Sequence, residues 1–185
     1  MSLWGNDIKP KNLTDAEKKE VFANTKGWVR EAGSILSGNG NTSADPEVLV
    51  AIGGLSANMG SANITELEFI TTAFDKSDGG TLQVRARFNE PVTVTGTPQL
   101  TVVNDQRANH TLSYASGSTT NELVFSLTIG AANAATNAGD VLSLGANAMS
   151  LNGGTIKDTG QSGTNATITN AASIGTAAGT ITVSA

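Results

Sequence analysis

Leu82-Gln-Val-Arg-Ala-Arg-Phe88 and Glu122-Leu-Val-Phe-Ser-Leu-Thr-Ile129 each place an apolar side chain at every second residue. This is the period of a strand with one buried face. Leu82, Val84, Ala86 and Phe88 are expected to point inward and Gln83, Arg85 and Arg87 to water, and Leu123, Phe125, Leu127 and Ile129 repeat the inward set. Between these runs lie Val92-Thr-Val-Thr95, Gln99-Leu-Thr-Val-Val103 and Thr111-Leu-Ser-Tyr-Ala115, divided by Gly96-Thr-Pro98, Asn104-Asp105 and Ser116-Gly-Ser118. Short β-rich runs punctuated by turn residues at this spacing read as an all-β sandwich or barrel.

Outward from this centre the texture continues on the C-terminal side. Ile64-Thr-Glu-Leu-Glu-Phe-Ile-Thr71 is expected to be the first strand and 75–80 a turn into the second. Residues 131–139, rich in Ala and Asn, read as a loop crossing between sheets, and 141–144 and 148–151 as strands. Asn152-Gly-Gly154 and Lys157-Asp-Thr-Gly160 read as turns, 167–169 as a short run, and Thr180-Ile-Thr-Val183 as an edge strand or exposed tail.

Residues 1–60 differ. Lys9, Lys11, Lys18, Lys19, Lys26 and Arg30, six of the 11 basic residues, lie here with both tryptophans, Trp4 and Trp28. Thr14-Asp-Ala-Glu17 matches a capping box and predicts a short helix over 15–23. An extended segment at 26–30, a loop over 38–46, a strand over 47–52 and a linker at 56–62 follow. The chain therefore divides into a small N-terminal module with one short helix, residues 1–60, and a β domain, residues 61–185.

Composition narrows the function classes. Charged residues make up 15% of the 185, against about 25% in ordinary domains, so Thr, Asn, Ser and Gly must cover most of the surface. A net charge of -5 and a pI near 4.7 offer no surplus of cations for a phosphate backbone, and nucleic acid is not an expected partner. Without cysteine there is no disulfide, thiolate zinc site or cysteine nucleophile. The N-terminus lacks the apolar core of a secretory signal and no stretch is long and apolar enough to span a membrane, so the expectation is a protein released from a cytoplasm without export.

No catalytic constellation stands out. His110, the only histidine, has no partner motif and reads as a strand-edge side chain. Asp75, Asp78, Glu90, Asp105, Asp140 and Asp158 fall mostly in expected loops, where carboxylates favour turns, and none belongs to a twelve-residue calcium loop. The expectation is a non-enzyme with no cofactor and no metal. Tryptophan is more often core than contact, yet Trp4 stands in a polar stretch near the terminus, as an intermolecular anchor would.

Three motifs carry a resemblance. Phe88-Asn-Glu-Pro-Val-Thr-Val-Thr-Gly-Thr-Pro-Gln-Leu100, Tyr114-Ala-Ser-Gly-Ser118 with Asn121-Glu-Leu-Val-Phe125, and Ala146-Asn-Ala-Met-Ser-Leu-Asn-Gly-Gly-Thr-Ile-Lys-Asp158 together resemble one copy of the bacterial Ig-like repeat of large surface and motility proteins. The likeness covers residues 62–170 and implies an Ig-like antiparallel β-sandwich acting as a spacer or binding module. It departs from that family in having one unit instead of many. Met1-Ser-Leu-Trp-Gly5, Lys9-Pro10, Gly27-Trp-Val29 and Glu47-Val-Leu-Val-Ala51 are similar to the N-terminal module of virion structural proteins from tailed phages of marine cyanobacteria.

Together the two resemblances imply a capsid decoration protein on the outer capsid surface of the virion. Its partners would be the major capsid protein and sister copies, with a host-surface glycan as a further ligand and neither nucleic acid nor membrane. Trp4, Lys9, Lys11, Trp28 and Arg30 would form the docking surface. A tail- or fibre-associated adhesion module, or a single-domain fragment of a bacterial surface adhesin, are the alternatives.

Overall fold

A computed structural model describes residues 14, 18, 20–24, 27–30, 47–50, 61–159 and 163–185. The architecture is all-β. In the N-terminal part β1 (Val21–Asn24), β2 (Gly27–Arg30) and β3 (Glu47–Val50) form an antiparallel three-stranded sheet in that order. The capping-box threonine does start a helical turn, with Lys18 N donating to Thr14 O at 2.9 Å. The helix does not run on to residue 23 as expected, because Val21–Asn24 pairs edge to edge with β2.

The remaining strands are β4 (Ile64–Phe69), β5 (Phe74–Asp75), β6 (Gly80–Thr95), β7 (Gln99–Asn104), β8 (His110–Ser116), β9 (Thr120–Ile129), β10 (Val141–Ser143), β11 (Met149–Ser150), β12 (Thr155–Asp158) and β13 (Thr180–Ser184). They hydrogen-bond in the order β12-β6-β9-β8-β7-β10-β13-β5, with β4 also on β6 and β11 also on β7. Where two separate sheets were expected, pairing is continuous, because β7 and β8 stay in register from Gln99↔Ser113 to Val102↔His110. The sheet curls into a half-barrel. Leu82, Val84, Phe88 and Phe125 from one end share a single apolar cluster with Leu142, Ile181 and Val183 from the other.

β6 is the spine. It merges two runs that the sequence separates at Asn89-Glu-Pro91. Its register with β9 shifts between Arg87 and Val92, so the proline, which has no N–H to give a ladder, sits in an irregular stretch instead of breaking the strand. Of the expected inward set, Leu82, Val84, Ala86, Phe88, Leu123 and Phe125 have no exposed surface and Ile129 is 1% exposed, but Leu127 is only half-buried against the cluster. Tyr114 is only half-buried, because its hydroxyl accepts from Ser118 N at 2.8 Å while its ring meets Phe125 edge-on at 6.2 Å. This locks the 115–119 turn, in which Gly117 has φ +109° and a Cβ would overlap the Glu122 carbonyl.

Four other expectations change. Lys157 and Asp158 lie in β12, not in a turn, because they pair with Thr93 and Val92. Ala62, placed in a linker, has no exposed surface. β13 is no edge or tail but an interior strand, antiparallel to β10 and parallel to β5. A six-residue helix, α1 (Ala172–Ala177), follows the run at 167–169, which contributes one isolated bridge between Thr167 and Asn63.

Phe125 fills the centre of this cluster from the middle of β9. Phe125→Ala should lower unfolding free energy by about 3–5 kcal/mol in urea titrations; a loss below about 1 kcal/mol would place Phe125 outside the core.

Candidate functional site

Of the expected docking residues, Trp4, Lys9 and Lys11 lie outside the described residues. Trp28 is in β2 and 2% exposed, with Val21 and Val29 buried beside it in sequence and sheet, and Arg30 is half-buried at the end of the same strand. In this conformation Trp28 is enclosed by its own chain.

The N-terminal strands lie against the main sheet. Asn121 Nδ2 donates to Val21 O at 3.4 Å, and Lys18 Nζ pairs with Glu66 Oε1 at 3.1 Å. Beneath them the outer face of β6 is not in water as expected. Arg85 is 8% exposed and Arg87 is fully buried.

Arg87 survives there because its neighbours are placed by register. Glu66 of β4 and Glu122 of β9 are its direct cross-strand partners on either side. Arg87 Nη1 lies 2.6 Å from Glu66 Oε2, Nε 2.8 Å from Glu122 Oε1 and Nη2 3.3 Å from Glu68 Oε2. Arg85 pairs with Glu68 and approaches Glu122 at 3.9 Å. Three carboxylates thus face Arg85, Arg87 and Lys18. Burial works to raise the Glu66 pKa, but the hydrogen bonds and charges of Arg87 and Lys18 outweigh it and hold the carboxyl below its ordinary value.

A second polar cluster ties the crossing loop to the β7–β8 hairpin. Asp140, 3% exposed, accepts from Asn104 Nδ2 at 2.9 Å and Asn137 N at 2.8 Å and pairs with Arg107 at 3.3 Å. The Asn104 hydrogen bond first, and Asn137 and Arg107 after it, keep the Asp140 pKa low against burial. His110, expected at a strand edge, is buried at the start of β8 with Nε2 3.1 Å from Thr136 Oγ1. Burial lowers its pKa, and the Asp140 charge offsets part of that. Thr136, His110 and Asp140 supply the side-chain types of a hydrolytic triad, but the hydroxyl has no exposed surface and no substrate can meet it. The group fastens a loop.

The other carboxylates separate. Asp75 caps its own turn through Ser77 N at 2.8 Å, and Asp105 accepts from Val141 N at 2.8 Å. Glu90 and Asp158 instead lie in strands β6 and β12, 5% and 2% exposed. Both were expected among the loop carboxylates, although parity offered a signal at Glu90. Glu90 continues the series Leu82, Val84, Ala86, Phe88 and precedes Val92 and Val94, so an acid occupies a core-parity position. Among the described residues no group of three or more acidic or histidine side chains gathers as a metal site, and no helix is long and apolar enough to cross a membrane.

Set against protein families, curated proteins and solved structures, the chain matches none of them.

Arg87→Ala should cost about 1–3 kcal/mol, because it leaves the half-buried Glu66, Glu68 and Glu122 facing one another with only Arg85 and Lys18 to offset them; chemical unfolding at pH 7 measures it. The Glu66 pKa lies below 4.5 in the folded chain, so its contribution is present above that pH and disappears as pH falls through the folded value. Glu66→Gln should flatten the loss of stability on acidification from pH 5 to 3, and an unchanged slope would show that Glu66 does not set it.

Proposed function

We propose that this chain is a virion structural protein, a capsid decoration protein whose residues 1–60 dock on a phage head and whose residues 61–185 are displayed as an Ig-like domain. The observation that carries the reading is the strand order. What supports it is that β4-β6-β9-β8 and β7-β10-β13 can be matched to the A-B-E-D and C-F-G strands of an Ig-like sandwich, with β12 as an additional neighbour of β6 and the two halves continuous in one curled sheet. The β7–β8 pairing joins the two halves at one edge, and β5 closes the other beside β13. A domain of this kind carries its loops at its ends and suits display, and a net charge of -5 lies in the range that keeps a small domain from self-association.

The docking surface in this reading is Trp4, Lys9, Lys11, Trp28 and Arg30. The basic members would meet an acidic shell and set encounter and register, and the tryptophans would supply the anchors. Because Trp28 is enclosed in this conformation, its part in docking requires the N-terminal strands to open on the shell. The reading includes no catalytic centre and no cofactor.

The test adds purified protein to phage heads that lack it. A chain without residues 1–60 should fold and fail to join the heads, and Trp4→Ala should lower occupancy without lowering the unfolding midpoint. Full occupancy by the truncated chain would make the β domain the docking element. Immunogold label confined to tails would replace the capsid reading with the adhesion module.

A further inference from the structure

Of residues 131–139, which cross from β9 to β10, only Thr136 is buried, and it has no exposed surface. Its Oγ1 lies 3.1 Å from Nε2 of His110, which is 3% exposed at the start of β8. The rest of the segment is Ala, Asn and Gly, and none of it joins the apolar cluster. Its other ties are polar: Asn104 Nδ2 donates to Ala135 O at 3.0 Å, Lys76 Nζ to Asn133 O at 2.5 Å, and Asn137 N to Asp140 Oδ2 at 2.8 Å. Asp140, just beyond, is held separately, because its carbonyl accepts from Val183 N at 2.9 Å. Gly130 and Gly139, the latter at φ +88°, bracket the segment, and a Cβ at either would meet nothing.

We infer that His110 and Thr136 form an acid-released fastening, which holds the 131–139 segment down while the imidazole is neutral and lets it lift between its two glycines when the ring takes a proton. The Thr136 hydroxyl serves either neutral tautomer, since it can donate to a bare Nε2 or accept from a protonated one. An imidazolium must donate from both nitrogens and hold its charge away from water, and burial makes that form costly. Lifting the segment returns water to the ring and gives up one buried side chain and a few polar ties.

Charged groups reach this end of the fold from three places: Asp140 before β10, Asp105 and Arg107 in the β7–β8 hairpin, and Lys76 after β5. β7, β10 and β13 bring no titratable side chain, and β8 brings only Tyr114 besides His110. Asp140 favours the imidazolium, but it is already engaged by Asn104 Nδ2 at 2.9 Å, Asn137 N at 2.8 Å and Arg107 Nε at 3.3 Å. Asp105 is occupied by Val141 N and Gln106 Nε2, and Lys76 by Asn133 O. Burial prevails, and the His110 pKa in the folded chain lies below 6.5, with Asp140 offsetting part of the shift. A ring freed to water titrates near 6.5, so lifting takes up a proton below that pH and none above it. The fastening is at full strength above 6.5, weakens as pH falls, and weakens no further once pH is below the folded value. Asp140, held below 3.8, keeps its charge while His110 first takes up its proton.

Amide hydrogen exchange in the full-length protein, corrected for the intrinsic rate at each pH, reads the lifting at Ala135 and Thr136, whose amides bond to Asn133. Opening there should rise as pH falls from 7 to 5, by at most about tenfold per pH unit, the limit for one proton, while Leu123 and Phe125 in β9 keep their protection. His110→Gln, uncharged but still able to donate and accept, should remove the pH dependence. Thr136→Val, which keeps the shape and loses the hydroxyl, should raise opening at pH 7 by about fivefold or more. The ring resonances of His110, the only histidine, give a reading in the unaltered protein that does not depend on how the variants fold. A midpoint below 6.5 supports the fastening; one at or above 6.5 overturns it, because the closed segment would then favour the proton. Exchange that is flat between pH 7 and 5, that keeps its pH dependence in His110→Gln, or that is unchanged in Thr136→Val also overturns it.

Discussion

A guanidinium with no exposed surface must be neutralised where it lies, and the Arg87 side chain is such a group. Glu66 and Glu122 meet it from both neighbouring strands, and a slip of one residue in either pairing would turn a carboxylate to the opposite face. Burial of Arg87 therefore reinforces from the outer face the register of β4, β6 and β9 that their apolar inner faces also specify. The same arrangement explains why the N-terminal part lies where it does. β6 bears its two arginines on the outer face only over its first half, and Lys18 from the N-terminal part completes the charge balance there.

Along the second half of β6 the outer face opens to solvent and is lined by threonines. Thr93 pairs with Thr159 at 2.9 Å and Thr95 with Thr155 at 2.7 Å, hydroxyl to hydroxyl. One strand thus carries a covered ionic face and an exposed hydroxyl face, with the irregular stretch at Asn89-Glu-Pro91 between them. The inner face changes at the same place, from hydrocarbon to the Glu90 carboxyl. A strand whose chemistry switches on both faces at one point is a joint between two regions, and the start of the β domain is tied to it there.

Closure of the core depends on the far end of the sheet. β13 joins the chain's last residues to β10 and to β5, which precedes β6. Contacts of this span bring the two ends of the curled sheet over one apolar cluster, with Ile181 and Val183 opposite the residues of β6 and β9. The loop from β9 to β10 can then be long and polar, because Asp140, Asn104 and His110 hold it by side-chain bonds instead of by burial of apolar surface.

Strand periodicity, turn residues and the inward set from Leu82 to Phe125 were legible in the sequence, because alternation records directly which side of a strand meets hydrocarbon. The Tyr114-to-Ser118 motif was legible too, since its geometry is local. What a side chain meets on the other face is decided by whatever the chain later lays over it. Arg85 and Arg87 carry the pattern of water-facing residues and are buried, because covering by the N-terminal part depends on tertiary contacts that no local pattern records. For the same reason Thr180-Ile-Thr-Val183 read as an edge and became an interior strand, and Glu90 read as a loop acid although it lies buried in β6. Local periodicity was set by the sequence; pairing order, coverage and the meeting of charges were settled only when distant strands came together.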